Sequence, residues 1–91
     1  MHYRASVKYI PFPVDVGTID GAVTELKQGE YLILIDSRVS PAERMKALLH
    51  ETAHLLYNHF YDPRSIREIE AEAESYANHY SEKYSRFFEG A

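Results

Sequence analysis

Ser40-Pro41-Ala42-Glu43-Arg44-Met45-Lys46-Ala47-Leu48-Leu49-His50-Glu51-Thr52-Ala53-His54 is the stretch on which the reading of this chain turns. Its first four residues form a capping box. The Ser40 side chain can accept from the amide three residues on, Glu43 occupies the reciprocal position, and Pro41 suits the first helical residue. After Pro41, no glycine or proline intervenes before about Phe60. Met45, Leu48, Leu49, Thr52, Ala53, Leu56 and Phe60 fall on one side of the helical wheel and read as a face turned to a core. His50 and His54 fall on the far side of that stripe, so a cleft or a second helix is expected to meet them.

Within this helix His50-Glu51-Thr52-Ala53-His54 has the H-E-x-x-H spacing. An α-helix rises about 1.5 Å and turns about 100° per residue, so positions four apart lie about 6 Å from one another on nearly the same side. Two imidazoles placed there can share one tetrahedral zinc ion through ring nitrogens at about 2.0–2.1 Å. Glu51 lies off that line. It is not a competing ligand, but it is close enough to serve as general base toward a water at the metal. The longer metzincin pattern needs glycine at position 57 and histidine at position 60. Tyr57 and Phe60 stand there, so that class is excluded, and His59, His2 and His79 read as helix-end or loop histidines.

The remainder of the chain supplies few strong elements. Arg4 to Ile10 alternates weakly and can form a strand that Pro11-Phe12-Pro13 stops, and Val14 to Gly21 reads as loop. Ala22 to Leu26 and Tyr31 to Ile35 read as two strands joined through Lys27-Gln28-Gly29-Glu30, a hairpin. The second, Tyr-Leu-Ile-Leu-Ile, is continuously apolar and is expected to be covered on both faces. Asp62-Pro63 marks a loop, and Ser65-Ile66-Arg67-Glu68 is a second capping box opening a helix towards Phe87. The expected fold is α+β: a small N-terminal antiparallel sheet or hairpin packed on two helices, the first carrying H-E-x-x-H, in one zincin-like domain over residues 1–91.

Composition narrows the function. The chain has 91 residues and no cysteine, so no disulfide framework exists and any zinc ligands are histidine or carboxylate. In so short a chain a bound metal adds to folding free energy. A net charge of −4 argues against a nucleic-acid partner, which needs a basic surface. There is no apolar signal-peptide core and no membrane-length stretch, so a cytoplasmic protein without a membrane partner is expected. The eight tyrosines read as core and rim residues.

A catalytic zinc usually has three protein ligands and one open position. The last helix offers Glu68, Glu70, Glu72 and Glu74. Ile66, Ile69, Ala73, Tyr76, Ala77, Tyr80 and Tyr84 define its inward stripe, and at about 100° per residue Glu70 lies nearest to it, with Glu72 next. Glu70 is therefore the best-placed third ligand. Glu74, one turn on, can accept the N–H of a metal-bound histidine. Glu68 and Glu72 read as a solvated face.

Together these residues resemble the ImmA/IrrE family of small zinc metallopeptidases, often found beside phage or mobile-element repressors. The resemblance covers about residues 30–80 and rests on the apolar strand, the H-E-x-x-H helix, and Glu70-Ala71-Glu72-Ala73-Glu74-Ser75-Tyr76-Ala77, similar to the family's E-x-E-A-x-x-[FY]-A signature. It implies His50, His54 and Glu70 as zinc ligands and Glu51 as the base, in agreement with the wheel. It also implies hydrolysis of a protein or peptide substrate, a repressor or other regulatory protein among them. The chain departs from the pattern at Ala53, where many members have glycine, and at Glu74, where asparagine or aspartate is usual. The competing expectation is a catalytically inactive zinc-binding regulatory or protein-interaction domain. The retained Glu51 favours the enzyme, since a purely structural site has no use for it. Tyr57, Tyr76 and Tyr80 are the candidates for stabilising an oxyanion.

Overall fold

A computed structural model describes the backbone of residues 4–13 and 20–89, with side chains up to residue 83. The elements run β1 (Arg4–Ile10), β2 (Gly21–Lys27), β3 (Glu30–Asp36), α1 (Pro41–Leu56), a 3₁₀ turn (His59–Tyr61) and α2 (Ile66–Glu89). The α+β class with two helices after a small sheet is as the sequence indicates. The loop reading of Val14 to Gly21 falls largely on residues outside those described, as do His2 and the side chain of Tyr84.

The hairpin forms around Gln28-Gly29, where Gly29 adopts φ 83°, a left-handed value that favours glycine. β2 pairs antiparallel with β3, with a register irregularity between Glu25 and Lys27 that leaves Leu26 61% exposed. β1 departs from the expected antiparallel sheet. It pairs with β3 in parallel, Arg4 opposite Glu30 through Ile10 opposite Asp36, so the sheet is mixed, in the order β1-β3-β2. β1 and β2 therefore flank β3 on opposite sides.

β3 is thus the central strand, and its continuous apolar run follows from that position. Its two faces are not equally covered, however. Ile33 and Ile35 are buried and form the core with Ala47, against which Val23, Leu48 and Leu55 pack. Leu32 and Leu34, on the other face, are only partly covered, because α1 packs on the Ile33 and Ile35 face. Asp36 closes the strand. Buried, it accepts from Arg38 through both carboxylate oxygens at 3.0 Å and from the Phe12 amide at 3.4 Å.

α1 begins as its capping box requires, with Ser40 Oγ accepting from the Glu43 amide at 3.2 Å. It ends at Leu56, a turn before Phe60. Asn58 takes φ 54°, a left-handed conformation that asparagine tolerates and a helix cannot continue through. The expected apolar stripe is corrected in consequence: Leu56 is 52% exposed, while Ala47 and Ala53 are the buried apolar positions. Phe60 leaves the helix face and packs on Tyr31, with ring centroids 5.3 Å apart. α2 starts with Ser65 Oγ accepting from the Glu68 amide and packs along α1. Ala53, Ala73 and Ala77 are wholly buried, so small side chains let the two helices approach closely. Ile66 is 78% exposed, which removes it from the expected inward stripe of α2.

Candidate metal centre

Four polar side chains are buried among the described residues: Asp36, Glu51, His54 and His59. Three of them meet at one place. There, a cleft of about 890 Å³ opens between the start of β2, the middle of α1 and the first turns of α2, and its lining includes His50, Glu51, His54 and Glu70. Ring nitrogens of His50 and His54 and a carboxylate oxygen of Glu51 lie within 4.8 Å of one another. α2 brings Glu70 across to both histidines, its Oε2 2.9 Å from His50 Nε2 and its Oε1 3.3 Å from His54 Nε2. The structure therefore places all four of these residues together.

Outer contacts orient the rings. His50 Nδ1 donates to Glu74 Oε2 at 3.0 Å, and Glu74 Oε1 is paired with Lys46 at 3.0 Å. The Lys46 bond, followed by the His50 bond, holds the Glu74 carboxyl below its ordinary range. With Nδ1 turned to Glu74, Nε2 is the His50 nitrogen that faces the Glu70 carboxylate. Two ligand atoms on a tetrahedral ion with bonds of about 2.0–2.1 Å stand about 3.4 Å apart, close to the separations found here. Two imidazole nitrogens and a carboxylate, borne on two packed helices at an open cleft, are a donor set that fits a divalent metal ion.

Glu51 sits differently. It is 8% exposed and points toward the sheet side of α1, where a Cβ built on Gly21 would stand 3.2 Å from its Cγ. The missing side chain at Gly21 is what makes room for it. Burial pushes the Glu51 carboxyl up to about 7, a trend reinforced by Glu70 and opposed by His50. Burial likewise lowers His54, favouring its neutral form.

Sequence reasoning missed His59. Its position on a loop was foreseen, but it is buried, with Nδ1 2.9 Å from His54 Nδ1 and Nε2 2.7 Å from Glu72 Oε1. Glu72 is correspondingly not a solvated glutamate. The Arg64 hydrogen bond and then that of His59 lower its carboxyl. The signal was Asn58: a residue five after His54 returns to it only where the helix breaks. Among the oxyanion candidates, Tyr57, Tyr76 and Tyr80 are not lining residues of the cleft. They make an aromatic group instead, with centroids 5.9 Å apart for Tyr57 and Tyr76 and 4.6 Å for Tyr76 and Tyr80. His79 is exposed and meets Tyr80 edge-on. No described helix is long and apolar enough to cross a membrane.

Comparison with known proteins agrees with this arrangement. The model of the IrrE N-terminal-like domain, a peptidase M78 family, matches residues 4–86. No curated protein and no solved structure gives a significant match. With the match spanning nearly all of the chain, the protein belongs to the IrrE N-terminal-like domain family.

Proposed function

We propose that this domain is a zinc-dependent endopeptidase, with His50, His54 and Glu70 as the metal ligands and Glu51 as general base. The observation that carries the reading is Glu51. A carboxylate buried beside the candidate ligands, with an oxygen within 4.8 Å of ring nitrogens of both His50 and His54, is placed to take a proton from a water at the metal. A site that only held a metal for stability would gain nothing from it.

Zinc bound by these three side chains supplies Lewis-acid polarisation of a carbonyl and of a water. The rest of the chemistry belongs to the chain. Glu51 takes a proton from the water as its oxygen adds to the scissile carbonyl carbon. It then delivers that proton to the amide nitrogen as the carbon–nitrogen bond breaks, leaving a carboxylic acid and an amine. Glu74 and Lys46 hold the His50 ring, and the buried flank of the cleft limits water around Glu51.

The substrate class follows from the walls. β2 is an edge strand and its first residues line the cleft, so an extended peptide can pair with it by strand addition. Val23, Phe60, Ile66 and Ile69 add apolar surface for its side chains. A protein substrate is therefore favoured over a small amide, and a repressor-like regulatory protein is the candidate that the family resemblance implies. The test compares wild type with Glu51→Gln on such a protein and on unfolded proteins. The variant is expected to keep zinc and fold but to lose about 10²–10⁴-fold in turnover, the usual effect of removing a general base. Cleavage by both would remove Glu51 from the role. Cleavage by neither, with zinc bound, would favour a zinc-holding regulatory domain.

A further inference from the structure

His54 differs from His50 in what meets its second ring nitrogen. A carboxylate meets His50, whereas His54 Nδ1 faces His59 Nδ1 at 2.9 Å, with both rings buried. Two imidazole nitrogens at that distance share one proton: one donates and the other accepts. The far side of His59 decides which. His59 Nε2 is 2.7 Å from Glu72 Oε1, and the same oxygen accepts from Arg64 Nη2 at 2.8 Å. Arg64 is itself anchored on Asp62 Oδ2 at 2.6 Å. A carboxylate held by a guanidinium only accepts, so His59 donates to it from Nε2, and when His54 ligates a metal through Nε2 the acceptor for its remaining proton is His59 Nδ1. His54 must then donate from Nδ1. Its own lone pair is left on Nε2, the atom 3.3 Å from Glu70 Oε1.

We infer that His59 is a positioning residue which, backed by Glu72 and Arg64, locks His54 in the Nδ1–H tautomer and keeps its Nε2 lone pair aimed at the metal position. The inference rests on the reading of His50, His54 and Glu70 as ligands. His59, Asp62 and Glu72 also lie close enough to hold an ion of their own, but the Arg64 guanidinium occupies the space between the two carboxylates. That cluster orients a ligand and does not bind a second metal.

Zinc affinity, measured by competition with a chromophoric chelator, separates positioning from packing. In His59→Asn the side-chain oxygen stands near the place of Nδ1 and can accept from His54; in His59→Leu nothing can. Loss of an outer partner of a metal-bound histidine typically weakens binding about 10–100-fold, so His59→Leu is expected to fall by that factor and His59→Asn by no more than about threefold. Wild-type affinity in His59→Leu, or equal loss in both variants, overturns the inference. Should His59→Leu fail to fold, the wild type decides alone. Long-range proton–nitrogen correlation of the metal-free protein should show His54 protonated on Nδ1, and protonation on Nε2 refutes the lock. A wild type that takes up no zinc would refute the ligand reading instead, and the same spectrum would still settle the tautomer.

Discussion

Gly21→Ala places one methyl group where β2, β3 and α1 converge on Glu51. The new Cβ would stand 3.2 Å from Glu51 Cγ, 3.3 Å from Ile35 Cδ1 and 3.4 Å from Ala47 Cβ. Carbon atoms rest at about 3.5–4.0 Å, so the contacts with Glu51 and Ile35 are short by a few tenths of an ångström and that with Ala47 is at the near edge of ordinary contact. Two effects oppose one another. Replacing a strand glycine reduces the freedom of the unfolded chain and stabilises by about 0.4–1 kcal/mol where the backbone permits it. Overpacking a filled core costs about 1–3 kcal/mol. Here the packing term wins, because Ile35 is wholly buried and Ala47 is fixed to its helix. The net loss should be about 1 kcal/mol, a fall in melting temperature of about 4–8 °C for a domain of this size. Glu51 is the partner with most freedom to yield. A displacement of about 1 Å can cost about 10²-fold in rate, so a shift of a few tenths should lower kcat several-fold while zinc content stays at the wild-type level. The assays are a thermal melt, elemental zinc and turnover on one preparation. A melting temperature at or above wild type, with unchanged kcat, would refute the claim that Gly21 is the space Glu51 needs.

The remaining predictions concern acid and metal. Asp36 is held at about 2 by Arg38, below its unfolded value of 3.8, so its contribution to stability is full above pH 4 and is lost as pH falls towards 2. Asp36→Asn should lower the melting temperature at pH 6 and flatten its decline between pH 4 and 2; an unchanged acid profile would show that the pair is idle. Chelation of the zinc-loaded protein should lower the melting temperature by several degrees, on the scale of about 1–2 kcal/mol lost from a domain under 100 residues. Identical melts after verified zinc removal would mean that the metal contributes nothing to folding.

What the sequence conveyed followed the range of the forces involved. Capping at Ser40, the turn at Gly29 and the spacing of His50 and His54 are local, and each is legible because one residue type satisfies one backbone or ligand requirement. Glu70 does reach both histidines, but periodicity did not rank the glutamates, since its side chain stays 52% exposed against 47% for Glu74 and 33% for Glu72. The direction of β1 was not legible, since alternation shows which residues share a face but not which way a strand runs. Leu56 and Ile66 misled for another reason. Apolar side chains near helix ends count toward a stripe on the wheel, yet the partner helix or sheet does not reach them. His59 was hidden by a single backbone conformation at Asn58, which turns a residue off the helix and returns it against His54.

The central claim is that one catalytic metal ion is held by His50, His54 and Glu70. Elemental analysis of protein reconstituted with zinc and freed of excess, for wild type beside His54→Ala and Glu70→Gln, tests it most directly. The expected result is one zinc per chain in the wild type and a large loss in both variants, with the metal-free folds retained. Equal zinc in all three proteins, or none in the wild type, would contradict it.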